Sequence, residues 1–266
     1  MANILNKIVA TKKQEVAQAK NLLTTNGLQK IIETNGVPIR SLAASLRLQP
    51  GIIAEFKRAS PSKGIINEEV NPADIIKGYD TNGAVGISVL TDVDYFKAQD
   101  TDFSMARKAT NKPLLRKEFI IDEYQIYQSK AMGADVILLI AAVLTAQEIK
   151  NFTRLAHRLK LEVLIELHNS HEIDKLCGEE NVVGVNNRNL KTFEVDINQS
   201  IKIKNQLGNT DFPLISESGL SSITEIEQLL SEGFKGFLMG EYFMKQQEPI
   251  VAFIEFNKRL QNLLKR

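Results

Sequence analysis

The stretch MGADVILLI at residues 132–140 sets a glycine three residues ahead of a short run of valine, leucine and isoleucine. A left-handed glycine ends a helix and turns the chain, and an unbroken aliphatic run of this length reads as a strand buried on both faces. The same pattern stands at 82–90 (NGAVGISVL) and at 232–240 (EGFKGFLMG). Gly83 and Gly133 are 50 residues apart, and Gly133 and Gly233 are 100 apart. Such spacing suits two strand–helix units in every 50 residues.

Working outward, further apolar runs appear at Gly51–Lys57, Pro113–Glu118, Glu162–His168, Asn181–Asn186 and Phe212–Glu217. With Val85–Leu90, Asp135–Ile140 and Gly236–Gly240 they make eight expected strands. Helix punctuation falls between them. Asn71-Pro72 sets a capping residue before a proline at the first helical position. Thr145 with Glu148, Asn169 with Glu172 and Ser222 with Glu225 have capping-box spacing. Strands alternating with helices imply a parallel β/α architecture. The count of eight, and the lack of a G-x-G-x-x-G after the first strand, favour a closed barrel over an open dinucleotide-binding sheet. The expected fold is therefore a single (β/α)8 TIM barrel over residues 49–266, with residues 1–48 as an N-terminal helical extension packed on it. In that extension Ile4, Leu5, Ile8, Val9, Lys12 and Val16 recur near helical spacing, so one stripe should face the barrel.

Composition narrows the function classes. Thirty-three Lys and Arg against 32 Asp and Glu leave a net charge of +1, so no whole-protein field draws nucleic acid or an anionic membrane. The longest apolar run, Val136–Leu144, falls far short of the about 20 residues of a membrane span. The N-terminus lacks the apolar core of a secretory signal. The single cysteine, Cys177, excludes an internal disulfide and a cysteine-clustered zinc site. The expectation is a cytoplasmic enzyme with no nucleic-acid, membrane or obligate protein partner.

In such a barrel the chemistry lies where strands end. The first strand ends in Glu55 and Lys57 on one face, the third in Arg116, Lys117 and Glu118, the sixth in Asn186, and the seventh in Glu217-Ser218-Gly219. The fifth alternates Leu161, Val163, Ile165 and Leu167 on one face with Glu162, Leu164, Glu166 and His168 on the other. The wholly apolar face should meet the helices. Glu166 then points into the barrel mouth, where desolvation is expected to raise its pKa. Structural ion pairs at the rim are the competing reading of any one of these residues; several together favour catalysis. Ser218-Gly219 and Gly240-Glu241 follow the seventh and eighth strands, where barrels often hold phosphate on backbone N–H groups. His168 and His171 lack a third metal ligand and read as a loop and helix start capped by Asn169, and His157 as a helix-surface residue.

Seven segments carry a family resemblance: IIAEFKRASPSKG (52–64), PLLRKEFIIDEYQIY (113–127), ADVILLIAAVL (134–144), LEVLIELHN (161–169), GVNNRNL (184–190), ISESGL (215–220) and GFLMGEYFM (236–244). Together they resemble indole-3-glycerol-phosphate synthase, with E-x-K-x-x-S-P-S and L-R-K-[DE]-F the most specific. The resemblance implies a carboxy-lyase of tryptophan biosynthesis. It closes 1-(2-carboxyphenylamino)-1-deoxyribulose 5-phosphate to indole-3-glycerol phosphate, CO2 and water, with no metal and no organic cofactor. It makes Lys117 the ring-closure acid and gives Glu166, Lys57 and Glu55 the later proton transfers. Asn186 would orient the substrate, Phe96 and Phe119 would wall its aryl ring, and Ser60 would touch it from the first loop. Arg188, Ser218, Gly219, Gly240 and the backbone of Glu241 would hold the phosphate, with Glu217 among the substrate-binding residues. The extension would lie over the mouth. Phosphoribosylanthranilate isomerase, a rival barrel, would want a cysteine ending the first strand, whereas Cys177 precedes the sixth. Ala98-Gln99 replaces a usual Gly-Ser, and Glu118 a frequent Asp. Glu241 stands where some members carry a hydroxyl; its carboxylate is expected to turn outward.

Overall fold

A computed structural model describes residues 4–34, 38, 40–190 and 192–265. Eight parallel strands close into a barrel: β1 (Gly51–Phe56), β2 (Gly86–Leu90), β3 (Leu114–Lys117), β4 (Val136–Ile140), β5 (Glu162–Leu167), β6 (Val182–Asn186), β7 (Leu214–Glu217) and β8 (Gly236–Met239). Each pairs with its sequence neighbour, and β1 closes the ring on β8 through Gly51–Gly236 and Ile53–Leu238. The strands lie within two residues of their expected bounds. Gly83, Gly133 and Gly233 take φ of 93°, 85° and 92°, and each precedes its strand by three residues, as the repeat implies.

The capping boxes at Thr145/Glu148 and Ser222/Glu225 form, and Asn71 caps the helix Pro72–Thr81. Asn169 caps only a short 3-10 turn, Ser170–Lys175. A two-stranded hairpin, Ala59–Ser60 with Gly64–Ile65, follows β1. Strands of two residues carry no periodicity, so the sequence held no signal for it.

Alternation along the strands sorts the interior into two layers. Ile53, Leu115, Leu138, Leu164, Ile215 and Leu238 fill the barrel. Ile52, Ala54, Phe56, Val163, Ile165 and Leu167 face the helices.

Three helices precede β1: α1 (Ile4–Leu22), α2 (Thr25–Thr34) and α3 (Leu42–Leu48). They serve opposite ends of the barrel. The stripe of α1 buries Leu5, Ile8, Lys12 and Val16, and Ile4, Leu5 and Ile8 line the cavity at the mouth. Helix α3 instead packs Leu42, Ala43 and Leu46 against Ile53, Val136 and Val182, in the barrel interior. Its N-terminus is held by Glu162 at the start of β5, which accepts the Leu42 N–H (2.7 Å), the Ala43 N–H (3.0 Å) and the Ser41 hydroxyl. A carboxylate on those otherwise unpaired N–H groups also meets the positive end of the helix.

Candidate active site

The C-terminal strand ends surround a cavity of about 330 Å3. Every residue expected at the site lines it: Glu55, Lys57, Ser60, Phe96, Lys117, Phe119, Glu166, Asn186, Arg188, Glu217, Ser218, Gly219, Gly240 and Glu241. The strands place these side chains by parity. Lys117 is inward because Leu115, two back, is in the barrel core; Glu166 follows Leu164 and Glu217 follows Ile215 in the same way.

Lys117 is the centre of the charged cluster. Its Nζ donates to Glu166 Oε2 at 2.8 Å and to Glu217 Oε2 at 2.5 Å. Burial would lower its pKa, but the charges of Glu166, Glu217 and Glu55 outweigh that and raise it, so the ammonium persists across the physiological range. Beside it Lys57 donates to Glu55 Oε1 at 2.8 Å, and Ser88 holds the other oxygen of Glu55 at 3.2 Å. Asn186 Nδ2 donates to Glu166 Oε1 at 3.2 Å, while its own oxygen accepts the Arg188 N–H at 2.9 Å.

The two carboxyls on Lys117 are driven apart, and not as the sequence reading expects. Burial pushes on Glu166, but Lys117 and His168 together hold it well below the ordinary carboxylate range. Glu217 is the one raised, to about 8, by burial and by the charge of Glu166, against the pull of Lys117. Its Oε1 is buried without a hydrogen-bond partner. Gly184 on β6 makes the room, since a Cβ there would lie within 2.1 Å of that oxygen. Desolvation acts on both carboxyls, so strand parity alone could not say which would keep its charge.

His168, read from sequence as a loop residue, is nine-tenths buried at the cavity wall with Nε2 3.1 Å from Glu166 Oε1. Its pKa is raised: burial opposes this, and Glu166 outweighs it. The signal was present in the sequence, because His168 shares the inward parity of Glu166. His157 is half-buried rather than superficial, with Nε2 2.8 Å from Asn181 Oδ1.

Across the cavity Phe96 and Phe119 face each other with ring centroids 6.1 Å apart, and Leu90, Leu138 and Ile140 complete an apolar wall. Ser60 enters from the hairpin. Arg188 and the turns after β7 and β8 line another part of the cavity. The Glu241 carboxylate does not turn outward: it lies 3.2 Å from Arg188 Nη2, where the guanidinium offers a partner for its charge. Lys245 also lines the cavity. The site therefore joins an apolar slot for a ring, a buried acid–base cluster and a cationic end. Among the described residues no group of three His, Cys, Asp or Glu side chains is arranged to hold a metal ion. Nor is any described helix long and apolar enough to cross a membrane.

Known proteins resemble this sequence over nearly the whole chain. The sequence profile of indole-3-glycerol phosphate synthase matches residues 5–255. The chain is 43% identical to the indole-3-glycerol phosphate synthase of Bacteroides thetaiotaomicron, over 98% of this chain and 100% of that protein. It is 42% identical to that of Neisseria meningitidis serogroup B, over 93% and 96%. Among solved structures, a thiamine phosphate pyrophosphorylase from Pyrococcus furiosus superposes with a TM-score of 0.59 over 83% of this chain and 99% of its own, at 14% identity, a likeness of fold alone.

Proposed function

From the premise that this chain belongs to the indole-3-glycerol phosphate synthase family, a decarboxylating lyase of tryptophan biosynthesis acting on a small phosphorylated substrate, we propose how its residues divide the reaction. The aryl ring of 1-(2-carboxyphenylamino)-1-deoxyribulose 5-phosphate packs against the wall made by Phe96 and Phe119, and its phosphate lies at Arg188, Ser218, Gly219, Gly240 and the Glu241 N–H. Ser60 closes over it. Asn186, tied to both Glu166 and the Arg188 backbone, orients the chain between the two ends.

Lys117 donates its proton to the ketone oxygen as the carboxyl-bearing aryl carbon attacks the carbonyl carbon. The alkoxide that forms is more basic than any lysine, so a raised ammonium pKa does not prevent the transfer. The carboxylate leaves as CO2 and its bonding pair restores the ring. The new hydroxyl departs as water with a proton from Lys57, which Glu55 aims through their 2.8 Å contact. Glu166, held ionised, removes the last proton as the indole forms. Two neighbouring carboxyls with pKa values pushed apart are the pattern expected of an acid and a base, and Glu217, neutral below about pH 8, is the reserve from which Lys117 is reprotonated. The observation that carries this division is Lys117 bridging Glu166 and Glu217 at 2.8 and 2.5 Å. Residues 1–48 act as an extension of the 49–266 barrel. The reaction needs no metal, cofactor or obligate partner, and the protein works in the cytoplasm.

The test is turnover of that substrate followed by indole fluorescence, against a protein background free of tryptophan emission. Lys117→Ala should lower kcat by at least the roughly 10²–10⁴-fold of a positioned general acid. Near-normal kcat in that variant, or loss of wild-type activity on exhaustive chelation, would sink the assignment.

A further inference from the structure

Lys12 is a lysine on a surface helix that is only 2% exposed. Its Nζ leaves α1 to lie 2.8 Å from Asp92 Oδ2 and 3.2 Å from Glu118 Oε1, with Glu15 on its own helix at 2.7 Å. Burying an ammonium is costly unless it is paired, so three carboxylates around one lysine mark a built contact rather than a chance one.

What those carboxylates do with their remaining capacity is the informative part. Asp92 caps the short helix Val93–Phe96: its Oδ1 accepts the N–H groups of Tyr95 at 2.6 Å and Phe96 at 3.2 Å. Glu118 Oε1, the atom facing Lys12, also accepts the Phe119 N–H at 2.8 Å. One ammonium therefore ties two carboxylates, and each carboxylate fixes the backbone of one aromatic wall. Thr11, the preceding residue, adds a hydroxyl contact of 3.0 Å to Tyr95. Glu118 keeps other partners without Lys12, namely Thr91 at 2.7 Å and Arg116 at 3.6 Å. Among the described residues Asp92, fully buried, pairs with no second cation.

We infer that Lys12 is a positioning residue for the aryl slot: it sets the separation of Phe96 and Phe119 from the N-terminal helix, without touching substrate. This deepens the reading above and rests on those two rings walling the aryl group. It makes α1 part of the binding apparatus through one charged pivot as well as through the apolar contacts of Leu5 and Ile8. The slot joins loops after two different strands, β2 and β3. Thr91 and Glu118 tie the two loops at their base, and the pivot adds a second, charged tie that also reaches the Val93–Phe96 helix.

The experiment compares Lys12→Met with wild type at a temperature where circular dichroism shows both folded. KM for the substrate should rise about tenfold with kcat changed less than about threefold, the signature of lost ground-state positioning. Inhibition by inorganic phosphate, which probes only the cationic end, should keep its Ki. The double variant Lys12→Met/Asp92→Asn removes the orphaned charge, so it should recover thermal stability while KM stays high; if Lys12→Met does not fold, this double variant carries the test. Recovery of KM together with stability would show a merely structural lysine and overturn the inference, as would a KM and phosphate Ki that shift together. Phe96→Leu and Phe119→Leu run in parallel. If both raise KM while Lys12→Met does not, the pivot fails and the slot stands. If neither raises KM, the slot itself fails, and the pivot with it.

Discussion

Replacing Glu241 by glutamine should make this protein bind its substrate more tightly. The carboxylate lies 3.2 Å from Arg188 Nη2, with side-chain exposures of 27% and 16%. It holds the guanidinium that the substrate phosphate needs, so binding must first open the pair. For a partly exposed ion pair that costs about 0.2–1 kcal/mol. The displaced carboxylate then remains on the same turn as the phosphate. At roughly 6 Å and an effective dielectric of about 60, each unit of phosphate charge repels it by about 1 kcal/mol. Together the two effects oppose binding by about 1–3 kcal/mol, or roughly five- to 150-fold in affinity. Glu241→Gln keeps the backbone N–H and the side-chain volume and removes the charge. KM for the substrate and Ki for inorganic phosphate should both fall within that range, kcat should hold, and the gain should shrink as salt rises. An unchanged or raised KM would show that Glu241 serves to hold Arg188 in its working position, and would refute the argument.

Glu217 makes stability depend on pH. Its folded pKa of about 8 against an ordinary 4.5 means that the folded state binds the extra proton between those values, so stability should fall as pH rises from about 4.5 to about 8. Chemical denaturation of Glu217→Gln across that window should show a shallower decline; an equal slope would place the raised pKa elsewhere. Truncation should separate the two ends of the extension. Deleting residues 1–34 removes Leu5, Ile8 and Lys12 from the mouth and should raise KM or lower kcat in a folded barrel. Deleting 1–48 also strips Leu42 and Leu46 from the barrel interior, where each buried leucine is worth about 2–5 kcal/mol, and should leave a protein that unfolds well below the temperature at which the shorter deletion unfolds. Equal melting temperatures for the two truncations would contradict the role of α3.

Sequence alone was enough for what depends on local periodicity and strand parity. Glycines that end helices, aliphatic runs and capping residues placed all eight strands, because each signal is written within about ten residues. Parity then put Glu55, Lys57 and Glu166 on the inner face, since a strand has only two faces and the apolar one belongs to the helices. The family resemblance added Ser60, Phe96, Phe119 and Arg188 to the lining. What stayed out of reach depends on distances between segments far apart in the chain. Glu166 and Glu217 obey the same parity, and only their placement around one ammonium, with His168 beside the first, decides which keeps its charge. Glu241 could be placed after β8 but not aimed, because the cation that turns it comes from the loop after β6. Lys12 reads as one more lysine on an amphipathic helix until Asp92 and Glu118 converge on it. A pattern of residues determines which face a side chain takes; the sum of charges arriving from other strands determines what it does there, and that sum exists only in the folded chain.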